Sequence, residues 1–542
     1  MNTPVTILGA NGQPLAPART SMLHGSPGVP YDAADRSSDH MASWSPTLPS
    51  PDGELNGFRD TIVARVRDLV RNDGWASGTV TRILDNAIGA NFRPIFKPDW
   101  QALQAHTGIK AFDHVWADEF GRGLEASYRL WATDIGRYCD TQRNLTMAQM
   151  IRVGFRHKLI DGDAIAQLHW LPERVGVGRA RYATAVQLID PDRLSNPQLQ
   201  IDTEKLRGGV EIDQYGAALA YHIRRAHQGD YFAAGRAYTW DRIERETEWG
   251  RPIIVHDFEQ ERAGQHRGGA GIFTPVIQRL KMLIKYDSAE LDAALLNAIF
   301  AAYIESPYDH SMVEGALAGD DDVGAYQKDR MAYHGEQRLK LNGARMPILY
   351  PGEKLNTVMA TRPNANFDAF EAAVLRNVAS ATGLSAQQIS NNWSDVNYSS
   401  ARGAMLEAWK TLSRRRNDFA IGFAQPIVCG FAEEAMEVDD LPLPAGAPEF
   451  AEYRAAYARA KWMGPGRGIV DPLKERQGSV LGMDAALSTL EDEAAELDGK
   501  DWRETVAQRA IEIKRFQELG VPLPQWAAGG DQPETNEKDG VE

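Results

Sequence analysis

The chain has two cysteines in 542 residues, Cys139 and Cys429, far apart in the sequence. That excludes a disulfide framework beyond one bridge and leaves no CxxC pair to hold zinc, which suits a reducing cytoplasm. Long apolar runs are missing as well. The most apolar stretch, Leu291 to Ile304, is too short to span a bilayer and carries Asp292 near its start. The N-terminus "MNTPVTILGANGQPLAPART" lacks a basic region followed by an apolar core, so it does not read as a signal peptide. The expectation is a soluble protein with no membrane partner.

Positive charge is short too: 59 Lys and Arg stand against 74 Asp and Glu, a formal net charge of -15. A chain so acidic does not coat duplex DNA over its whole surface, because such binding is driven by neutralising phosphates. It would repel a DNA backbone passing nearby and leave it mobile. Catalytic signatures are absent: no G-x-x-x-x-G-K-[ST], no G-x-S-x-G, no H-E-x-x-H, and neither cysteine in a nucleophile setting. An ATP-driven motor is not expected, and nothing supports a catalytic residue, a cofactor or a metal.

What is there reads as alternating textures. The first fifty residues, rich in Pro, Ser, Gly and Asp, predict an irregular arm. A helix follows from about Gly57, with Phe58, Ile62, Val66, Leu69 and Val70 on one face and Arg65, Arg67 and Arg71 largely outside it. A second runs from Ala76 to Ile88 and stops at Gly89; "NLTMAQMIRVGFRHKLIDGD" predicts another, ended by Asp161-Gly162-Asp163. From Ala164 to Phe258 short β-rich runs predict strands, with a turn at Asp213 to Gly216. The helical period returns at Thr274 for about 30 residues. A loop with Asp320, Asp321 and Asp322 comes next, then "RMPILYPGEKL" as strand and turn, and a helix stopped at Gly383. Short helices are expected from Asp471 and from Trp502 to Leu519, and the acidic end "GGDQPETNEKDGVE" predicts a disordered tail.

Two stretches invite a chemical reading and have a plainer one. In "HDFEQE" a strand places His256, Phe258 and Gln260 on one face and Asp257, Glu259 and Glu261 on the other, so a solvated face fits better than a metal site. "GQHRGGAG" and Gly464 to Gly468 lack P-loop spacing and read as turns.

"NYSSARGAMLEAWKTLSRRRNDF" is the stronger lead. It predicts a helix from Tyr398 to Ala424, about 40 Å long, that Pro426 should kink or end. Met405, Leu406, Trp409, Leu412, Phe419 and Phe423 form its packed stripe. Arg414, Arg415 and Arg416 ring the helix, so at least one must face whatever lies across it. They read either as a solvated helix end that suits the dipole, or as ion pairs to a neighbouring copy or contacts to a polyanion. "LEDEAAELD", Leu490 to Asp498, is an acidic counterpart whose partner is not legible.

Read together, "YDAADRSSDHMASW", "RVRDLVRNDGWASGTVTRILDNAIGANF", "GVEIDQYGAALAYHI", "VHDFEQERAGQHRGGAGIFTPVI", "NYSSARGAMLEAW" and "PGRGIVDPLKE" resemble, in this order, the lambda-like portal proteins of tailed bacteriophages. The resemblance implies an α+β portal fold with wing, helical stem, clip and small crown, assembled as a ring around a central channel. It implies twelve copies at one capsid vertex, without enzymatic activity. Double-stranded DNA would pass through the channel, driven in by a separate terminase large subunit and later ejected. The major capsid protein or scaffold and a head-tail connector would be the other partners, in the virion and in the host cytoplasm during assembly.

On that likeness residues 1–50 are an arm, 51–395 the wing, 396–436 the first stem helix and 437–470 the clip. Residues 471–482 are the second stem helix, 483–498 the tunnel loop region, 499–523 a helix toward the crown and 524–542 the tail. Lys410, Arg414, Arg415 and Arg416 would face DNA or the next subunit. Met483, Asp484, Glu491, Asp492, Glu493 and Glu496 would lie in the tunnel loop region. Glu449, Tyr453, Arg459 and Trp462 would face the terminase or connector. Two other readings stay open: a metal-dependent nucleic-acid-processing enzyme built on "HDFEQE", and a capsid or adaptor subunit without a DNA channel.

Overall fold

The order of side-chain periods along the chain is reproduced in space. The computed structural model describes residues 44–299 and 367–524 without Ala270, Asp395 and Val470, and outside these 32–34, 41, 43, 303–305, 332, 338–341, 344–347 and 354–356. The expectations for most of the arm, for the Asp320 to Asp322 loop and for the tail lie outside the described residues.

A helical N-terminal half comes first: α1 (Pro51–Leu55), α2 (Arg59–Asn72), α3 (Gly74–Ala87), strand β1 (Arg93–Phe96), then α4 (Trp100–Thr107), α5 (His114–Ala132) and α6 (Met147–Asp161). The start of α6 is set by a capping box: Thr146 accepts from the Gln149 amide while the Gln149 side chain accepts from the Thr146 amide. Its end is set by Gly162 at φ 87°, where a Cβ would lie 1.5 Å from the Gly269 carbonyl oxygen. On α2 the buried face is Val63, Val66, Leu69 and Val70; Phe58, expected there, precedes the first turn and is 65% exposed.

The strand-rich middle contains β2 (Asp163–Trp170), β3 (Thr184–Ile189), β4 (Leu206–Arg207), β5 (Val210–Ile212), β6 (Ala218–Arg224), a short α7 (Ala234–Ala237), β7 (Trp240–Glu244) and β8 (Ile254–Phe258). They make two antiparallel sheets, β3-β2-β8 and β4-β5-β6-β7. The second leans on the first over a small core that includes Ile165, Ile189, Tyr221, Ile223 and Ile254. Asp213 to Gly216 is the expected turn, its Oδ1 accepting from the amides of Tyr215 and Ala217.

Helix α8 (Ile277–Ile299) ends before the expected Ile304, because Tyr303–Glu305 is strand β9, paired antiparallel with β12 (Lys354–Asn356). Between them β10 (Arg338–Leu341) pairs with β11 (Ala344–Pro347). Then α9 (Phe367–Thr382) stops at Gly383, φ +75°, and short α10 (Ala386–Ser390) follows. Helices α8 and α9 pack as an antiparallel pair: Tyr286, halfway along α8, stacks on Phe367 at the start of α9 at 5.6 Å. The rest of α8 therefore extends past α9, with Leu291 and Leu295 exposed.

Pro426 does not end the next helix. α11 (Tyr398–Phe419) runs through a π-turn at Ala420–Ala424 into α12 (Gln425–Val438). The Gln425 amide bonds back to Ala420, five residues earlier, so the missing N–H of Pro426 falls where the ladder is already changing register. The continuous rod is about 60 Å long. It is the centre of the body: Leu412, Phe419, Phe423, Ile427 and Phe431 are buried in the main core with α3, α5 and α6. Phe431 stacks on Trp131 at 4.5 Å, and Phe419 meets Phe155 at 5.0 Å.

The last part returns to the first. After α13 (Arg454–Tyr457), β13 (Ala460–Met463) pairs antiparallel with β1, and α14 (Pro472–Asp484), α15 (Leu490–Glu493) and α16 (Trp502–Leu519) complete the described chain. No helix among the described residues is long and apolar enough to cross a membrane. The fold is α+β.

Candidate channel and assembly site

The three arginines of α11 serve three different ends. Arg414 is half exposed and pairs with Glu259 at 3.1 Å and Asp418 at 3.0 Å. Arg415 is turned inward and donates from Nη1 to the Thr382 carbonyl at 2.7 Å, on the last turn of α9; burial lowers its pKa. Arg416 donates from Nε to the Ala87 carbonyl at 2.6 Å and from Nη2 to Asn86 at 2.9 Å and Pro465 at 2.8 Å. It lies over the Trp409 ring at 4.8 Å, and burial pulls its pKa down to about 10. Arg415 and Arg416 thus close the carboxyl ends of α9 and α3, where unpaired carbonyls and the helix dipole favour a cation. Both are engaged within their own chain by these bonds, while the expected contact with DNA or the next subunit concerns molecules outside it. Lys410 is exposed and reaches only Glu407, at 2.9 Å.

The acidic stretch expected in the tunnel loop region is held on the body instead. Glu491 pairs with Lys97 and, at 3.2 Å, with Lys461; Asp492 pairs with Lys461 at 3.0 Å. Glu493 accepts from Ser479 at 2.6 Å, and Glu496 pairs with Arg467 at 3.3 Å. Met483 and Asp484 form the end of α14. Lys97 just after β1, Lys461 on β13 and Arg467 before α14 fix this segment, in which 490–498 are a short helix and a π-turn.

The residues expected to face the terminase or connector also sit on the body. Trp462 stacks on Phe92 at 5.0 Å and donates to the Gln425 Oε1 at 2.9 Å. Arg459 pairs with Asp99 at 3.2 Å, and Tyr453 lies half-buried 6.3 Å from the His106 ring. Glu449 alone of the four is exposed with no side-chain partner among the described residues. The β1–β13 pairing is the reason: it ties 460–463 to the start of the chain.

A fully buried polar centre escaped the sequence. Asp163, fully buried, accepts from Arg59 Nη2 at 2.7 Å, Arg267 Nε at 2.9 Å, His256 Nε2 at 3.0 Å and the Gly268 amide at 2.6 Å. Burial alone would raise its pKa, but Arg267 and Arg59 hold the carboxyl well below its usual range. Arg267 also donates to the carbonyls of Leu194, Gly208 and Pro191, so the glycine-rich turn is a plug joining α2, both sheets and α8. Beside it Arg67, expected outside its helix face, bridges Asp161, Asp190 and Asp192 at 2.6 to 3.2 Å.

"HDFEQE" does not gather ligands. His256 goes to Asp163, Glu259 goes to Arg414, and Asp257 is not solvated but buried against Lys158 at 2.7 Å. Burial pushes the Asp257 carboxyl up to about 6 despite Lys158. Among the described residues, three possible ligand atoms converge instead at His157, Asp161 and Asp190, and at Asp190, Asp192 and His227. The Arg67 guanidinium already pairs with all three carboxylates there.

Apolar side chains remain open on the α8–α9 pair (Met282 65%, Leu291 71%, Leu295 64% exposed) and on α14 (Leu473 69%, Leu481 68%). They leave apolar surface in contact with water on two separate helices.

A family model described as "Phage portal protein, lambda family" matches residues 37–416. The chain is 33% identical over 495 residues to the portal protein of Escherichia phage N15, covering 90% of each. It is 32% identical over 497 residues to portal protein B of Escherichia phage lambda, again 90% of both. Among solved structures it is similar to a chain in the neck of a native gene transfer agent particle computed with C12 symmetry, at 16% identity and a TM-score of 0.35, over 76% of this chain and 97% of that one. With a family model spanning most of its length and two phage portal proteins matched nearly end to end, the chain belongs to the lambda family of phage portal proteins.

Proposed function

We propose that the chain is one subunit of a closed, non-enzymatic ring of about a dozen copies at a single capsid vertex. Genomic DNA is driven inward through its channel by a separate terminase and leaves by the same route. The family membership carries this reading. The open apolar rows on α8 support it, since a heterologous ring interface buries one face of each copy against a different face of the next. The formal charge of -15 per copy supports a channel wall that repels DNA and lets it slide.

The same observations move the stem. The packing of α11–α12 against α3, α5, α6 and β8 argues against its lining an open channel. The α8–α9 pair is open on one side, with Leu291 and Leu295 exposed, and residues 300–366 lie between the two helices in the sequence. We therefore assign the stem to α8 and α9 rather than to 396–436 and 471–482. Residues 300–366 become the clip that meets the terminase and then the connector, and the turn around Trp393, between α10 and α11, becomes the loop beside the DNA. The major capsid protein or scaffold surrounds the ring on this reading.

Native mass spectrometry of the purified protein, with class-averaged electron micrographs, tests the ring. About a dozen copies around an axial hole is the expected result. A stable monomer under assembly-favouring conditions would count against it.

A further inference from the structure

Between the two sheets lies a cleft of about 510 Å³ that none of the portal roles uses. Its lining pairs an aliphatic patch, buried Ile189 and Ile223 with half-buried Ile243, with the polar side chains Gln167, His169 and Gln187. Its rim is basic. Arg225 is matched by Asp241 at 2.7 Å, but Arg193 and Arg236 are not matched. Arg193 spends its Nε on the Arg224 carbonyl at 2.8 Å, and neither it nor Arg236 has a carboxylate in ion-pair range among the described residues. Burial lowers the Arg193 pKa, and the charge of Arg236 works in the same direction, against the pull of Asp192 and Asp190. In a chain with 15 more acidic than basic residues, two guanidiniums left facing one cleft are unusual company.

Guanidinium forks match the two oxygens of a carboxylate, and an aliphatic patch takes the apolar neighbour of an acidic residue. Duplex DNA fits poorly, because its phosphates lie on a rigid cylinder too wide for a cleft of this size. We propose that the cleft binds an acidic peptide segment, and that its occupant is the chain's own C-terminal stretch, residues 525–542. That stretch carries Asp531, Glu534, Glu537, Asp539 and Glu542 against a single Lys538, with Trp526 and Val541 as apolar anchors. It starts where the described chain stops, at Pro524, and can reach about 60 Å when extended. The same contact can be made within one subunit or onto the next.

The test uses protein truncated after Pro524 and a fluorescein-labelled synthetic peptide of residues 525–542, followed by anisotropy. Saturable binding is expected, weakened about tenfold by R236E and weakened again between about 50 and 200 mM salt. R193Q, which keeps the aliphatic patch intact, should weaken it as well. A peptide with its five acids changed to amides should not bind, and full-length protein should bind the labelled peptide less well than the truncated form because its own tail competes. No saturable binding, or equal binding to R236E, overturns the proposal. Tight binding of a single-stranded oligonucleotide with none of the peptide overturns it in favour of phosphate. The native mass of the truncated protein is recorded alongside, so loss of the ring and loss of the peptide site are told apart.

Discussion

Arg416 donates from Nε to the Ala87 carbonyl across 2.6 Å, placing a side chain of one long helix at the carboxyl end of another, 329 residues away in the chain. Arg416→Ala would strand the carbonyls of Ala87, Asn86 and Pro465 at a half-buried helix end. A loss of about 2–3 kcal/mol is expected, read as a lower urea midpoint. Arg414→Ala, at an exposed pair, should stay within about 0.5 kcal/mol. Equal effects from the two would contradict the capping role.

Among the described residues, Asp163 is the carboxylate in ion-pair range of both the buried Arg59 and the buried Arg267. Asp163→Asn would leave two cations uncompensated in the core, at a cost of about 3–5 kcal/mol. The expected outcome is insoluble or protease-sensitive protein. A variant with parental stability would show that the hub is not what joins the sheets to α2.

Gly162 and Gly269 meet backbone to backbone where α6 turns into β2. With φ at 87° and a Cβ 1.5 Å from the Gly269 oxygen, Gly162→Ala is expected to lose about 3 kcal/mol or more. Gly108→Ala, also at positive φ but with open space around it, should cost about 1 kcal/mol. The difference between the two measures the close approach.

Asp257 gives a pH dependence of definite sign. Its folded pKa of about 6 lies above its ordinary 3.8, so the stability it contributes is full below about pH 4 and is lost as pH rises through 6. Asp257→Asn removes that dependence. Relative to the parent, the variant's urea midpoint should climb between pH 4 and 7, by an amount equivalent to roughly 2–3 kcal/mol. A difference that stays flat with pH would mean that Lys158 holds the carboxylate ionised throughout.

Leu291 tests the stem assignment. Leu291→Arg places a charge on the exposed part of α8 and should leave the subunit folded, with an unchanged circular dichroism spectrum, while shifting its native mass from ring to monomer. Intact rings from this variant would return the stem to another helix pair.

Much of the local structure was legible. The stops at Gly162 and Gly383 and the strand texture from Ala164 to Phe258 all follow from neighbours within a few residues. α4 and α5 gave no comparably clear signal, although Trp116, Phe120, Leu124, Tyr128 and Trp131 keep a helical period that could have found α5. The candidate site was far less legible. The ordered motifs pointed to the portal family, but the arginines, the acidic stretch and the Trp462 segment were placed only by that likeness, with no contact partner legible. In the fold most answer to partners on other elements, from about 30 residues away, as for Arg415 and Thr382, to 329, as for Arg416 and Ala87.

The sequence by itself determined the element types, most of their ends and the family, because helical and strand periods, caps and turn glycines act over a few residues. Tertiary structure alone decided what the charges do. Asp163 meets Arg59 and Arg267, each 104 residues away, and Arg416 meets Ala87, only because the chain path brings them together. No local preference records such a meeting. A charge in a single sequence reads as solvated until the fold withdraws the water, and then the identity of its neighbour fixes its role.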